Sequence, residues 1–272
     1  MGLQETHDEL LAHLGRIHTY HKFLESYTLC RKAGFDNINI DLMCGIPGQS
    51  LEMWEETLTR VLRLRTPHLS CYGLIIEEGT PFYELYGEDE ERRERGEEPL
   101  HLPSEELERS MYAMTGQMLR EAGYHHYEIS NYAKEGFESV HNNGYWQRYP
   151  YIGCGLGASS LVGEERWDNP REMEDYITPL SEGHLPDVEK SALSVKEQME
   201  EFMFLGLRRM EGVYISDFTE NFGRDSEVIY GDVMARLWEE GLLEKKEGRI
   251  FLTGKGIDVS NYVFSEFLID SV

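Results

Sequence analysis

No stretch of this sequence comes near the roughly 20 consecutive apolar residues that a membrane-spanning helix requires. The opening segment, Met1 to His18, is polar and lacks the apolar core of a signal peptide. Basic residues are scarce: 26 Lys and Arg stand against 51 Asp and Glu, a formal net charge of -25. Such a field repels phosphate backbones and anionic lipid surfaces, which argues against nucleic acid as a partner and against stable membrane insertion or docking. Cysteine is scarce too. Cys30, Cys44, Cys71 and Cys154 lie far apart and match no zinc or cluster spacing, so they read as reduced, mostly buried thiols of a cytoplasmic protein. What is present is ordinary for a globular chain. The 272 residues are 40% hydrophobic and 28% charged, enough for one large domain or two smaller ones.

The first part alternates helix and strand. Thr19 is placed to cap a helix carrying Tyr20, Phe23, Leu24 and Tyr27, with Gly34 at its end. Asn37 to Met43 alternates strictly: Ile38, Ile40 and Leu42 point one way, and Asn39, Asp41 and Met43 the other. Ser50 caps the next helix, with Trp54, Leu58 and Val61 on its apolar face, and His68 to Ile76 reads as the following strand. This order predicts a parallel sheet wrapped by helices. A strand with one polar face suits a barrel wall, where that face looks into a lumen, better than an open sheet buried on both sides. Only about two strand–helix units fit before residue 77, too few to close a barrel. The expectation is therefore an incomplete TIM-like barrel whose earlier units are missing from the chain.

Glu88 to Glu98 is a dense charged run and reads as a solvated loop. Ser104 begins an amphipathic helix whose Met111, Met114 and Met118 are core packing, closed by Gly123. Tyr127 to Ser160, rich in Gly, Asn, Tyr and His, reads as strands and loops around a site. Further on, Ser194 and Glu197 form a capping box, and helices near 216–222 and 228–240 precede a hairpin turning at Glu247-Gly248 and a last helix after Thr253. This predicts a winged-helix-like module. The acidity of Glu197 to Glu201 turns it away from DNA and toward a packing or lid role.

Three features suggest chemistry. Asp41, at the end of a strand, can accept hydrogen bonds from a ligand's hydroxyls or ammonium group, or can equally cap the next helix. Gly153-Cys154-Gly155-Leu156-Gly157-Ala158 resembles a dinucleotide fingerprint, but no helical pattern follows it and no acidic residue ends a second strand. Its glycines fit close approach of backbone instead. His141, among aromatic neighbours, is of the type that ligates haem iron, or is a hydrogen-bonded structural histidine. His125-His126 reads as structural.

Several stretches together resemble a known family. They are Gly2-Leu3-Gln4 with Leu14-Gly15-Arg16-Ile17-His18; Ile40-Asp41-Leu42-Met43 through Pro47-Gly48-Gln49; Ile75-Ile76-Glu77-Glu78-Gly79-Thr80-Pro81-Phe82; Tyr127-Glu128-Ile129-Ser130-Asn131-Tyr132-Ala133; and His141-Asn142-Asn143-Gly144-Tyr145-Trp146. Over nearly all its length the chain is similar to radical SAM proteins of the haem-chaperone (HemW) type, relatives of the oxygen-independent coproporphyrinogen III oxidase/dehydrogenase. The resemblance implies S-adenosylmethionine (SAM), a [4Fe–4S] cluster and haem as cofactors or cargo, and haem-accepting proteins as partners. It assigns SAM contacts to Gln4, Arg16 and Asp41. The HNxxYW pattern at His141 belongs to the chaperone branch and is lacking in the dehydrogenase branch, which makes His141 a haem-ligand candidate.

There are departures. The family's CxxxCxxC, whose three thiolates hold the cluster, is absent, so the resemblance gives this chain no cluster ligands and no catalytic residue. Met1 falls where a longer relative has an internal residue. Ser159 stands where many haem chaperones have His in a Gly-Ala-His-Ser context. The expected division is a partial barrel at 1–76, a family-specific extension with the ligand segment at 77–175, and a helical winged-helix-like domain at 176–272. The expected function is haem binding and delivery. The alternatives are the oxidative decarboxylation of coproporphyrinogen III and a cofactor-free acidic interaction module.

Overall fold

A computed structural model of the chain describes residues 1–269. Contacts group it into two compact units, Met1–Glu138 and the chain from Ser139 onward. The boundaries expected at 76 and 175 each fall inside one of these units.

The first unit is built on a five-stranded sheet in the order β1-β2-β3-β5-β4. Its elements run β1 (Gly2–Gln4), α1 (Asp8–His13), α2 (Tyr20–Lys32), β2 (Asn39–Cys44), α3 (Leu51–Leu62), β3 (His68–Gly73), α4 (Pro81–Glu94), α5 (Glu105–Glu121), β4 (His125–Glu128) and β5 (Asn131–Ala133). β1, β2 and β3 are parallel, whereas β5 and β4 add on antiparallel. Thr19 and Ser50 cap α2 and α3 by accepting from the N–H groups of Lys22 and Met53, as their positions predict. The alternation in β2 is realised. Ile38, Ile40, Leu42 and Cys44 are buried with Phe23 and Tyr27 of α2, Trp54, Leu58 and Val61 of α3, and Met111 of α5. Trp54 also donates its indole N–H to Thr115 Oγ1 at 2.9 Å, tying α3 to α5.

The loop expected over Glu88 to Glu98 is instead largely helix. Thr80 accepts from Tyr83 N, and Pro81 sits in the first turn, where its missing N–H is no loss. The apolar periodicity is indeed weak. What anchors α4 is Asp89, almost fully buried, which accepts the backbone N–H groups of Leu100, His101 and Leu102 at 2.7, 2.7 and 2.9 Å. Burial alone would raise the pKa of this carboxyl, but the three N–H donors win and hold it below its ordinary value. The strand expected to reach Ile76 stops at Gly73.

The second unit comprises α6 (Val140–Trp146), β6 (Ser159–Val162), β7 (Glu165–Asp168), α7 (Met173–Ser181), β8 (Ser191–Ala192), α8 (Val195–Gly206), β9 (Val213–Tyr214), α9 (Ile215–Phe222), α10 (Ser226–Glu239), β10 (Leu243–Lys246), β11 (Arg249–Leu252), α11 (Gly254–Asp258) and α12 (Ser260–Glu266). The Ser194–Glu197 capping box is formed. β9, α9, α10 and the β10–β11 hairpin make the winged-helix-like arrangement, with Phe218, Tyr230, Met234 and Leu237 buried beneath a three-stranded antiparallel sheet. Glu201 of α8 pairs with Arg148 at 3.0 Å and Arg166 at 2.6 Å, tying the segment after α6 and strand β7 to α8. Gly153 carries the expected close approach: a Cβ there would lie 2.3 Å from Ser159 O.

Asp89→Ala should lower stability by about 1–3 kcal/mol, because it takes the shared acceptor from three backbone N–H groups, that of Leu102 buried. Glu88→Gln, on the exposed face of the same helix, should change it by less than about 0.5 kcal/mol. Urea unfolding midpoints of the two variants check this, and equal shifts would contradict the anchoring role of Asp89.

Candidate functional site

The polar face of β1–β2–β3 gathers the residues singled out in the first half of the sequence. Register pairs Asn39 with His68, Asp41 with Ser70 and Met43 with Tyr72, so these six residues share the face opposite the helix-packed core. Asp41 is half-buried there. Gly2 pairs with Asp41 across β1 and β2. A Cβ on Gly2 would sit 3.0 Å from Gln4 Nε2 and 4.0 Å from Asp41 Oδ2. An amide donor and a carboxylate acceptor therefore converge over the one residue that has no side chain to fill the space between them. Asp41 Oδ2 also lies 3.8 Å from the Met1 ammonium group.

Tyr72 was not among the residues singled out from the sequence, and it joins them. Its hydroxyl donates to Gln4 Oε1 at 2.8 Å. Burial pushes the phenol above its ordinary pKa, Asp41 adds to this, and the Arg16 guanidinium opposes it. Arg16 itself is exposed, on the turn after α1, within electrostatic reach of Tyr72. The structure thus brings Gln4 and Asp41 together directly, with Arg16 at the margin.

Gln4 has φ 73°, a left-handed conformation uncommon outside glycine. The next residue explains how it is held. Glu5 is fully buried and accepts from Thr6 N at 2.6 Å, His7 N at 3.3 Å, Gln49 Nε2 at 2.5 Å and the hydroxyl of Thr57. Thr57 lies on α3 and Gln49 on the loop before it, so the end of β1 is fastened to both.

The second candidate lies in the other unit. His141 sits in the first turn of α6, whose N-cap Ser139 accepts from Asn142 N. The imidazole is exposed and meets the Tyr145 ring edge-on at 4.6 Å, one helical turn away. Tyr145 meets Tyr151 in the same way at 4.6 Å. Trp146 faces elsewhere, beneath the Arg208 guanidinium at 4.4 Å. The motif is therefore helical rather than loop, and its two aromatics are divided: Tyr145 beside the histidine, Trp146 against a cation. Ser159, in β6, donates to Asp168 Oδ1 on β7.

SAM carries an amino acid head, a sulfonium and ribose hydroxyls. The amide of Gln4, the carboxylate of Asp41 and the guanidinium of Arg16 are the donor and acceptor types these groups need. The residues present fit that cofactor. They do not fit a [4Fe–4S] cluster. Cys44 and Cys71 point into the helix-packed core, and burial pushes the Cys44 thiol up to about 12 and Cys71 well above its ordinary value, far from the thiolate form a cluster requires. Among the described residues no group of three His, Cys, Asp or Glu side chains is placed to hold a metal ion.

The chain is a protein of the radical SAM class. Residues 1–61 match the Radical SAM superfamily and residues 193–259 match the HemN C-terminal domain. The solved structure of coproporphyrinogen III oxidase (HemN) from Escherichia coli, described as a radical SAM enzyme, superposes with a TM-score of 0.76 at 20% identity. The match covers 98% of this chain and 63% of that one, and establishes the shared TIM-like α/β fold. The chain is 38% identical to the heme chaperone HemW of Bacillus subtilis over 98% of its own length and 68% of the relative's. It is 37% identical to HemW of Lactococcus lactis over 100% of its length and 69% of the relative's. It belongs to the HemW family.

Anaerobic reconstitution with iron and sulfide should give this chain no stoichiometric [4Fe–4S] absorption. A cluster signal that disappears on replacing Cys30, Cys44, Cys71 or Cys154 would overturn the reading of its thiols.

Proposed function

We propose that this chain binds SAM on the polar face of β1–β2–β3 and holds haem at His141, for delivery to haem-accepting proteins in the cytoplasm. The observation that carries the SAM half is the convergence of Gln4 Nε2 and Asp41 Oδ2 over Gly2. In the superfamily, SAM acts with a [4Fe–4S] cluster that supplies one-electron reduction; no step through that cluster is assigned to this chain. Gln4 contributes a buried carboxamide whose Oε1 is held by Tyr72 and whose Nε2 lies over Gly2. Asp41 contributes an acceptor for hydroxyl or ammonium donors. Arg16, exposed, contributes a cation for a carboxylate.

For haem, the support is an imidazole that is exposed yet oriented by an aromatic neighbour. An exposed Nε2 or Nδ1 can donate its lone pair to iron, and the Tyr145–Tyr151 pair offers apolar surface beside it. The HemW relatives carry the name heme chaperone, and the HNxxYW motif lies within the matched length. Transfer to a recipient requires an accessible iron, which an exposed ligand on a short helix allows.

His141→Ala should weaken haem binding on the order of tenfold, about 1.4 kcal/mol, and leave SAM affinity unchanged. Asp41→Ala should do the reverse, and Ser159→Ala should change neither. Haem titration followed by absorption, beside SAM calorimetry on the same preparations, reads both. An unchanged haem affinity and spectrum in His141→Ala would return that histidine to a structural role. Turnover of coproporphyrinogen III by the chain would favour the dehydrogenase reading instead.

A further inference from the structure

The polar face of the sheet extends beyond Asp41 as one continuous hydrogen-bonded chain, and its polarity can be assigned without ambiguity. Asp41 Oδ1 receives Asn39 Nδ2 at 2.6 Å. A carboxylate accepts and does not donate, so the amide nitrogen of Asn39 must be the atom facing it. The amide oxygen of Asn39 must then face His68, whose Nδ1 lies 2.6 Å away. An oxygen there requires that Nδ1 carry the proton. Nε2 of His68 lies 2.7 Å from the Tyr127 hydroxyl, which donates to it when the imidazole is neutral.

A second arm starts from Glu128, which accepts from Asn131 Nδ2. Asn131 Oδ1 therefore accepts from Ser70 Oγ at 2.6 Å, and Ser70 Oγ accepts in turn from Asn39 Nδ2 at 3.0 Å. Two carboxylates, one at each end, leave no freedom in the orientation of any amide between them. His68 is nearly fully buried, and burial draws its pKa below the ordinary imidazole value against the pull of Asp41 and Glu138.

We infer that His68 is a positioning residue for the ligand carboxylate of Asp41: its Nδ1–H fixes the Asn39 amide, and Asn39 fixes Asp41 Oδ1 so that Oδ2 is presented over Gly2. The inference rests on the SAM reading of that face. His68 does not contact the ligand. It sets the orientation of a group that does, much as outer partners orient metal-ligating side chains. The consequence is geometric specificity. With Oδ1 bonded within the sheet, the carboxylate is held in one orientation, with Oδ2 directed over Gly2.

Four observations on the intact chain test this. Imidazole nitrogen NMR should show His68 protonated at Nδ1 and not at Nε2 near neutral pH. His68→Phe, which keeps a ring but removes the donor, should weaken SAM binding by about two- to tenfold, the equivalent of one hydrogen bond. His68→Asn, whose amide nitrogen can stand in for Nδ1, should restore most of that affinity. In an Asp41→Ala background, His68→Phe should cause no further loss, since its effect passes through Asp41. An Nε2–H tautomer, no rescue by Asn, or fully additive losses would overturn the positioning role even if Asp41→Ala alone weakens binding. Absence of SAM binding by the parent chain, or an Asp41→Ala variant that binds as the parent does, would overturn the SAM reading and the inference with it.

Discussion

A carboxylate taken fully out of water must have its lone pairs met by donors, or it costs several kcal/mol. Glu5 is such a group, and the order of the candidate site follows from how it is satisfied. Two donors come from the backbone just after it, one from the His7 imidazole, one from a hydroxyl on α3, and one from the amide of Gln49 on the loop leading into that helix. Meeting them all at once leaves the end of β1 a single position. Leu3 goes into the core, Gln4 is turned into the left-handed region, and its side chain is delivered to Tyr72. The strain at Gln4 is local, whereas the interactions that over-determine it are distributed across β1, α3 and β3. That is how an uncommon backbone conformation persists at a binding face.

The same principle recurs in each part of the chain. Asp89 organises the turn after α4, Glu128 polarises the sheet face, and Glu201 gathers two arginines onto α8. In a chain with 51 acidic residues, most carboxylates are solvated, and these few act as internal anchors. Apolar alternation decides which way a strand faces; the buried acids decide where its ends and loops are fixed. In β2 the two meet. Ile40 and Leu42 hold the strand against α2 and α3, and this presents Asp41 and Asn39 on the opposite face.

Much of this was legible from residue order. The alternation of β2, the caps at Thr19, Ser50 and Ser194, the hairpin at Glu247-Gly248 and the glycine contact at Gly153 follow from local rules that need no partner. The meeting of Gln4 with Asp41 was accessible only through family resemblance, because the parallel register that sets Gly2 beside Asp41 is announced by no local pattern. Tyr72 and His68 were missed for the same reason: each stands on a strand read for its hydrophobicity, and its role depends on which residue lies across the sheet. Helix α4 was hidden because its stability comes from one buried acid and a capped start rather than an apolar stripe. The helix at His141 was hidden by its Asn and Gly content, which favours turns unless a cap such as Ser139 and neighbouring packing intervene.

The central claim is that the face formed by Gly2, Gln4 and Asp41 is a binding site for SAM. A crystal structure of the chain grown with SAM tests it most directly. The account predicts ligand density on the polar face of β1–β2–β3, with Gln4 Nε2 and Asp41 Oδ2 each within hydrogen-bonding distance of it and Asn39 still bonded to Asp41 Oδ1. Density for SAM elsewhere on the molecule, or an Asp41 carboxylate that makes no contact with the ligand, would contradict it.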